Sequence, residues 1–351
     1  MKNNILKTKK KILLTGASGT VGLAVLKELC TMKNEYEVTV FDEKSHKTIN
    51  KFKPYKDDVE IVYGDIRDVN DLIKIVHNKD VVIHLAAIIP PLADDKPPLA
   101  YQVNVEGTKR LINLLELHSP NAFFLYSSSI SVYGDRLKNP LITVDDKLNP
   151  SEGDEYAKTK ILAENIIQNC ELDWTIFRLT AIMGGHKISK LMFHQPLKTS
   201  LEIASPEDTA RAFVFAIDKQ MQLSKEIFNL GGGESCRIVY DDFLSHSFEI
   251  YGLGELDFPL KTFAEKNFHC GYYDDGDVLD NILNFRKDTL LEYFENQKRG
   301  VSFFKKLTIS LFRKSIKRYL QSQSEPLAAY LNNDEKSIQH YLKPEIYLQK
   351  K

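Results

Sequence analysis

The sequence predicts an α/β fold, with a doubly wound parallel sheet and a small C-terminal α/β lobe. Strand-like apolar runs alternate six times with helical patterns up to residue 180, and the loops between them are short. A glycine-rich turn joins the first strand to the first helix, and beyond residue 180 the regular alternation ends. Such alternation is typical of a parallel sheet that is covered by helices on both faces.

The first strand and helix are joined by three regularly spaced glycines. Residues 12–14 predict a buried strand, and residues 21–32 continue with helical spacing. Gly16 can form the tight turn, Gly19 can let backbone N–H groups approach a pyrophosphate, and Gly22 can let the helix pack closely on the strand. The spacing differs by one residue from the usual Gly-x-Gly-x-x-Gly, so taken alone it fits a dinucleotide loop and a plain βα turn equally well.

The second predicted strand, residues 37–42, ends in an acid. Asp42 lies 20 residues beyond Gly22, where a dinucleotide fold places the carboxylate that accepts hydrogen bonds from the adenosine ribose. Because an aspartate would repel a 2′-phosphate and the next residue is Glu43 rather than arginine, we favour NAD over NADP.

The remaining elements follow from periodicity. Further strands are predicted at 59–65, 81–87, 122–126 and 174–180, with helices at 69–77, 99–117 and 154–170. His84, inside the continuous apolar fourth strand, is interpreted as a hydrogen-bonded core residue. Beyond an irregular stretch, 181–202, we expect a helix at 206–219, a strand at 226–230 and a helix at 240–251. The predicted domains are 1–180 with part of 203–230, a substrate-binding lobe at 181–295, and a tail at 296–351.

Composition narrows the functional classes. The net charge of −1 argues against a protein that coats nucleic acid. No apolar stretch of 18 residues occurs, and the lysine-rich start lacks the apolar core of a secretory signal. The four cysteines are scattered without a Cys-x-x-Cys pair, which favours a reducing cytoplasm and no metal site.

Tyr156 and Lys160 stand four residues apart on a predicted helix, so both side chains lie on one face. The lysine ammonium, together with a positive nicotinamide ring, would lower the pKa of the tyrosine from about 10 and make it an acid or base near neutral pH. The pair alone is common by chance. Here it follows the glycine loop, Asp42 and the serines 127–129 at a strand end, all directed to the sheet edge where ligands bind.

These motifs together resemble the extended short-chain dehydrogenase/reductase superfamily, the type that includes NAD-dependent epimerases and dehydratases. The matching segments are residues 15–22, 64–67, 84–87, 104–108, 127–134, 156–160 and 206–211. The resemblance is strong to about residue 233, weaker to about 295 and absent from the tail.

The resemblance implies a Rossmann-type fold with NAD as cofactor and a small-molecule substrate. It implies that Ser129 hydrogen-bonds the reacting hydroxyl or carbonyl, Tyr156 exchanges its proton and Lys160 binds the nicotinamide ribose. Asn104 would brace the active-site helices. The expected cofactor contacts are Gly16, Ser18, Gly19, Thr20, Val21, Gly22, Asp42, Asp65, Ile66, Leu85, Ala86, Ala87, Asn104, Tyr156 and Lys160. The expected substrate contacts are Ile88, Ser129, Tyr156 and Thr180. A homodimer is expected from the same resemblance.

Departures from the family pattern bear on the reaction. The dehydratases resemble one another in an Asp-Glu pair that directly follows the catalytic serine or threonine. This sequence has Ile130 and Ser131 at those two positions, so dehydration is disfavoured. Ala181 stands where sugar-nucleotide epimerases place an asparagine on the diphosphate. We favour a sugar or nucleotide-sugar epimerase. One alternative is a ketoreductase or dehydrogenase for a compact apolar substrate, similar to the hydroxysteroid and flavonol reductases. A non-catalytic NAD sensor or scaffold is a third, against which the intact Ser129, Tyr156 and Lys160 set argues.

Two other segments complete the predictions. Residues 88–92 and 191–195 would furnish an apolar wall, with His194 interpreted as a surface residue. Residues 296–324 contain eight lysines and arginines and no acid, and their apolar residues recur at three- and four-residue spacing. This pattern predicts a basic amphipathic helix. It could contact an anionic membrane peripherally through 296–322; we favour packing on the protein itself or on a second subunit.

Overall fold

The computed structural model describes residues 8–184 and 190–344. Parts of three predicted segments lie outside these ranges: the lysine-rich start, the irregular stretch 181–202 and the polar tail. The strands are β1 (Lys10–Thr15), β2 (Tyr36–Asp42), β3 (Glu60–Tyr63), β4 (Val81–His84), β5 (Phe123–Ser129), β6 (Leu141–Ile142), β7 (Asp173–Leu179), β8 (Ala181–Ile182), β9 (Ser200–Ala204), β10 (Glu226–Leu230), β11 (Arg237–Val239) and β12 (Tyr272–Tyr273).

Helices cover the sheet and build the C-terminal part. They are α1 (Thr20–Thr31), α2 (His46–Phe52), α3 (Val69–Leu72), α4 (Leu92–Asp95), α5 (Pro97–Ala100), α6 (Thr108–His118), α7 (Glu155–Gln168), α8 (Pro206–Ala216), α9 (Gln220–Leu223), α10 (Tyr240–Tyr251), α11 (Asp277–Leu283), α12 (Leu290–Gly300), α13 (Phe303–Gln321), α14 (Glu325–Asn332) and α15 (Glu335–Tyr341). A π-helical segment, Tyr101–Gly107, joins α5 to α6.

A seven-stranded parallel sheet has the order β10-β7-β5-β4-β1-β2-β3. The order reverses between β1 and β4, which creates the crevice where doubly wound folds bind ligands. Ile12 and Leu14 pack into the layer that holds α1 and α8, whereas Leu13 packs into the opposite layer with α6 and α7. Both faces are covered, which explains the continuous apolar strands and confirms the predicted fold class.

The C-terminal part returns to the sheet once. After β7 the chain forms β8 and β9, crosses through α8, and adds β10 beside β7 at the sheet edge. β11, β9 and β8 form a second, small sheet, and β12 pairs with β6. The core of this C-terminal lobe contains aromatic side chains from α10 and α12 and the inner side of α13.

Three predicted helices differ in the structure. The helix predicted at 99–117 is interrupted by the π-helical segment Tyr101–Gly107. The helix predicted at 69–77 ends at Leu72 and continues as turns. The basic amphipathic helix predicted within 296–324 is present as α13 but is shorter: α12 ends at Gly300, and α13 begins after Ser302, whose side chain accepts a hydrogen bond from the Lys305 N–H. Glycine is a poor helix former and serine a good N-cap, so the break has a local cause. The tail predicted only as polar contains α14 and α15. In the described ranges, no helix is long and apolar enough to cross a bilayer.

Candidate active site

The glycine loop is shaped by backbone contacts at its two outer glycines. Gly16 has a φ of +70°, and a Cβ there would lie 2.6 Å from the Ala86 nitrogen. A Cβ on Gly22 would lie 2.2 Å from the Gly16 oxygen. By contrast, Gly19 is exposed, meets only the Gly16 oxygen at 3.3 Å, and caps α1 without a side chain. The N-terminus of α1 is therefore open to an anion, and this cradle fits a dinucleotide pyrophosphate.

Asp42 lies at the carboxyl end of β2, facing this loop. Its carboxylate accepts hydrogen bonds from the Ser18 N–H at 2.8 Å and from the Glu43 N–H at 2.9 Å. Each carboxylate oxygen keeps capacity to accept a further hydrogen bond. The Lys51 ammonium donates to the Ser18 carbonyl at 2.5 Å and so ties α2 to the loop. The arrangement suits recognition of ribose hydroxyls.

Asp65, which was expected beside the adenine, is engaged by its neighbour. The Arg67 guanidinium donates to both carboxylate oxygens, at 2.9 and 3.0 Å from Nε, and these bonds are the main cause that holds the pKa of Asp65 below its usual range. The side chain of Ile66 is buried in the layer below. An adenine at this edge would therefore contact the Asp65 carboxylate, which is already paired with Arg67. It would contact the backbone of residue 66 but not its side chain.

Ser129 ends β5 and contacts Tyr156 at the start of α7. Its hydroxyl oxygen accepts hydrogen bonds from the Ser131 N–H at 3.2 Å and the Ser131 hydroxyl at 3.0 Å. The remaining proton of Ser129 is then free to be donated, and its hydrogen bond to Tyr156 opposes the rise in the pKa of that phenol. Ser131 was missed as an orienting residue; a hydroxyl residue two positions after a strand-end serine was the available signal.

The chain's own residues shift the pKa of Tyr156 upwards, whereas the predicted lowering also counted on the nicotinamide ring. The pKa is raised first because the phenol is buried and second because the Asp154 carboxylate is close. The Lys160 ammonium lies 5.6 Å from the centre of the Tyr156 ring and donates instead to the Ser127 carbonyl at 2.7 Å. The protein's own residues therefore keep Tyr156 protonated at neutral pH, in the state that can donate a proton.

Lys160 is fully buried between α7 and β5. Besides Ser127, its ammonium donates to the Tyr126 hydroxyl at 3.3 Å. Burial lowers the pKa of Lys160 to about 7, while the charge of Glu164, one turn along α7, acts in the opposite direction. Glu164 is itself held by Arg178 of β7 at 2.7 Å. The buried Glu164–Arg178 ion pair thus lies next to Lys160.

Asn104 lies in the π-helical segment and joins three elements. Its carbonyl oxygen accepts from the Ile88 N–H at 2.7 Å, and its amide donates to the Ile88 carbonyl and the Thr159 hydroxyl, both at 2.9 Å. The loop after β4 and helix α7 are therefore held together through one buried amide. A π-helical turn within a helix is often found at functional sites.

His84 is buried and both ring nitrogens have partners. The Thr108 hydroxyl donates to the Asn104 carbonyl at 2.8 Å, so it accepts from His84 Nε2 at 2.9 Å. Nδ1 is left to accept from the Thr15 hydroxyl at 2.7 Å. This assigns a neutral ring, and burial lowers the pKa of His84 to about 3. The histidine connects β1, β4 and α6 beneath the cofactor loop.

A cavity of about 1110 Å³ extends from Ser129 into the C-terminal lobe. Its far side is apolar and contains Phe243, Leu244, Phe248, Ile309 and Ile316. The charged side chains in the described lining are the carboxylates of Asp94, Asp95, Glu152, Asp154 and Glu325 and the ammonium groups of Lys190 and Lys305. The cavity is therefore acidic as well as apolar.

Some predicted wall and substrate residues line this cavity and others do not. Ser129, Thr180, Pro90, Pro91 and residues 191, 192, 194 and 195 contribute to it. The Thr180 hydroxyl is committed to the Glu202 carbonyl at 2.7 Å. Ile88 packs in the helical layer, and neither Ile88 nor Tyr156 lines the cavity; Tyr156 lies next to it only through its contact with Ser129. Leu85, Ala86 and Ala87 follow β4 beside the glycine loop, and the Leu85 and Ala86 N–H groups donate to Thr15.

His194 and Glu325 form a contact at the cavity wall. The His194 Nε2 lies 2.8 Å from one Glu325 oxygen, and Lys190 lies 2.6 Å from the other. The Tyr341 hydroxyl donates to the same carboxylate at 2.9 Å. His194 is thus partly buried under α14 and α15 rather than simply exposed. The sequence offered no sign of this contact, since its members are more than 100 residues apart.

The fold and the sheet-edge arrangement define a dinucleotide-binding Rossmann protein of the extended short-chain dehydrogenase/reductase type. The chain belongs to the NAD dependent epimerase/dehydratase family, whose model matches residues 12–231, and NAD is the family's cofactor. The predictions of family, fold class and cofactor are confirmed.

Relatives within this family differ in activity. The chain is 24% identical over 200 residues to mouse (Mus musculus) 3 beta-hydroxysteroid dehydrogenase type 7, covering 53% of this chain and 54% of that protein. It is 30% identical over 188 residues to UDP-glucose 4-epimerase of Dictyostelium discoideum, covering 50% and 53%. The chain spans about half the length of these curated relatives. The solved dTDP-glucose 4,6-dehydratase from Bacillus anthracis, in complex with NAD, superposes with a TM-score of 0.68 at 18% identity, covering 83% and 96%.

Proposed function

We propose that this protein is an NAD-dependent oxidoreductase that transfers a hydride at a carbinol or carbonyl carbon of an uncharged, largely apolar substrate. The observation that carries the proposal is the cavity beside Ser129. Its far side is built of aliphatic and aromatic side chains, and its charged groups are mostly carboxylates. One of its two lysines, Lys190, is already paired with Glu325. An acidic lining of this kind repels a diphosphate and accommodates a neutral, apolar molecule.

The residues around Ser129 support proton exchange with a substrate oxygen. In the reducing direction, the hydroxyl of Ser129 and that of Tyr156 both donate hydrogen bonds to the carbonyl oxygen. The proton of Tyr156 moves to that oxygen as hydride reaches the carbon, and the product is a carbinol. Ser131 supports this role because it fills the acceptor sites of Ser129 and leaves its proton available. In the oxidising direction, the phenolate takes the proton back.

The cofactor contributes the redox chemistry: NAD, when bound, accepts the hydride and NADH returns it. On the protein side, the open N-terminus of α1 would hold the pyrophosphate and Asp42 would hold the adenosine ribose. Lys160 would bind the nicotinamide ribose; its location between α7 and the end of β5 supports this role. Reduction of a carbonyl matches the protonated state of Tyr156.

The relatives leave epimerisation as the principal alternative, and one experiment separates the two. Purified protein is incubated with NAD or NADH and a panel of hydroxysteroids, other apolar ketones and alcohols, and nucleotide sugars, while absorbance at the NADH wavelength is followed. We expect steady gain or loss of NADH with apolar substrates alone. Isomerised nucleotide sugar without net NADH would instead identify an epimerase, and NAD binding without exchange on any substrate would identify a non-catalytic sensor.

A matched pair of variants tests the proton donor. We expect Tyr156→Phe to lower kcat by roughly 10²- to 10⁴-fold, because the phenol supplies the general acid. Tyr330→Phe, which removes the hydroxyl of a partly exposed tyrosine on α14, serves as the control and keeps full turnover. A Tyr156→Phe protein with unchanged kcat and intact NAD binding would refute the assigned role.

A further inference from the structure

Helix α13 contacts the rest of the protein along a narrow inner row. Of its 19 residues, only Leu320 is buried, and only Ile309, Ile316, Lys317 and Gln321 are half-buried. Ile309, Ile316 and Leu320 belong to the core of the lobe, and the first two line the cavity that reaches Ser129. The inner side of α13 is therefore a wall of the candidate active site.

The opposite side of α13 is apolar and exposed. Phe303, Phe304, Leu307 and Leu311 are 75%, 78%, 46% and 74% exposed. At 3.6 residues per turn these four side chains fall within an arc of about 100°, on the side of the helix away from the inner row. A helix with two opposed apolar faces is unusual in a monomeric globule, since one of them contacts only water.

The outer side is also strongly cationic. The helix carries six lysines and arginines and no acid. Lys314 and Arg318 fall within the same arc as the four apolar side chains. Within the described chain, Lys317 makes an ion pair with Asp257, whereas the other five cations of α13 make none. Apolar side chains and unpaired positive charge thus share one surface about 28 Å long.

We propose that this surface of α13 docks on an anionic lipid bilayer. Phosphate headgroups would pair with Lys314 and Arg318, while the four apolar side chains enter the boundary between headgroups and acyl chains. A second copy of the chain fits less well, because a two-fold interface would place the unpaired cations of this surface against the same cations of the other copy. The helix lies along the interface rather than across it, with its outer side against the lipid and its inner side still lining the cavity. The docking does not depend on which reaction the site performs.

Flotation of the full-length protein with vesicles tests the proposal. Vesicles of phosphatidylcholine with phosphatidylserine are compared with pure phosphatidylcholine, at low and high salt. We expect binding to the anionic vesicles only, weakened by salt. Phe304→Ser/Leu311→Ser removes the apolar component, and Lys314→Gln/Arg318→Gln removes the charge; each pair is expected to weaken binding roughly tenfold or more.

Controls keep the result interpretable. Leu117→Ser/Met221→Ser and Lys27→Gln/Lys109→Gln make the same exchanges at exposed positions on other helices and should bind like the parent. Melting temperatures verify that every variant is folded. Equal binding to both vesicle types, or binding unchanged in the α13 variants, would overturn the proposal. So would a parent protein that does not bind vesicles but sediments as a dimer that the α13 variants dissociate, because the surface would then be a subunit interface.

Discussion

The sheet edge and the C-terminal lobe hold their functional residues in different ways. At the sheet edge, main-chain atoms pack directly against main-chain atoms, so a side chain on Gly16 or Gly22 would overlap them. In the lobe, side chains such as Glu325 and His194 contact each other in the cavity wall and remain partly open to solvent. A site built on backbone contacts tolerates little change, whereas one built on side-chain contacts can vary without loss of the fold. The dinucleotide end is therefore rigid and the substrate end adjustable.

The largest effect is expected from the glycine loop. Gly22→Ala places a Cβ 2.2 Å from the Gly16 oxygen, so the loop must move and NAD affinity should fall by more than tenfold, with a loss of stability of about 1–3 kcal/mol or more. Gly19→Ala is the matched control for stability, because its φ of −67° suits alanine and an added Cβ would meet only the Gly16 oxygen, at 3.3 Å rather than 2.2 Å. Calorimetric NAD titration and thermal unfolding measure both. If Gly22→Ala bound NAD and melted like the parent, the description of the sheet edge would be wrong.

Asn104→Ala should have the next largest effect. The substitution leaves the Ile88 N–H and C=O without their partner, at a cost of about 1–3 kcal/mol for each group that stays unsatisfied. It also removes the donor to the Thr159 hydroxyl, which keeps its own hydrogen bond to the Tyr156 carbonyl. Because α7 carries Tyr156, we expect kcat to fall more than KM rises. Asn70→Ala, on the exposed side of α3, is the control. A stable Asn104→Ala protein with unchanged kcat would show that the brace has no bearing on the site.

The buried histidine predicts a pH dependence of stability. The pKa of His84 in the folded protein is about 3, below its ordinary value near 6.5. Its contribution to the free energy of unfolding is therefore complete above pH 6.5 and is lost as pH falls towards 3. Between pH 7 and pH 5 this amounts to about 2 kcal/mol. Urea unfolding of the parent and of His84→Asn across this range measures it. An equal slope in both proteins would contradict the prediction.

The smallest effect is expected in the lobe. Glu325→Gln removes the charge that Lys190 and His194 share, but these groups are partly exposed, so stability should change by less than about 1 kcal/mol. Substrate KM should respond more than NAD affinity, because the contact lies in the cavity wall. Glu335→Gln, exposed on α15, is the control. A Glu325→Gln protein that unfolded or lost NAD binding would remove the distinction between the two regions.

The same distinction explains what the sequence could predict. At the sheet edge each functional residue belongs to a short motif fixed to a strand end, so the strands, Asp42 and the Tyr156–Lys160 helix could be located from spacing. The three residues assigned to catalysis and the substrate contacts remain proposals. The cavity could not be predicted, because its walls come from α10, α13 and α15, which only the tertiary fold brings together. The raised pKa of Tyr156 was missed for the same reason, since burial and the neighbouring Asp154 are properties of packing.

The position of β10 affects whether a fragment of the protein can fold by itself. The edge strand β10, which completes the sheet, is synthesised only after β8, β9 and α8. A fragment that stops after residue 180 therefore leaves β7 as an open edge, with unpaired backbone groups and the apolar side chains of Phe177 and Ile176 beside it. Such fragments should aggregate, and proteolysis should not release a stable cofactor-binding piece. We therefore expect the sheet and the segment from β8 to β10 to fold, and to be degraded, as one unit.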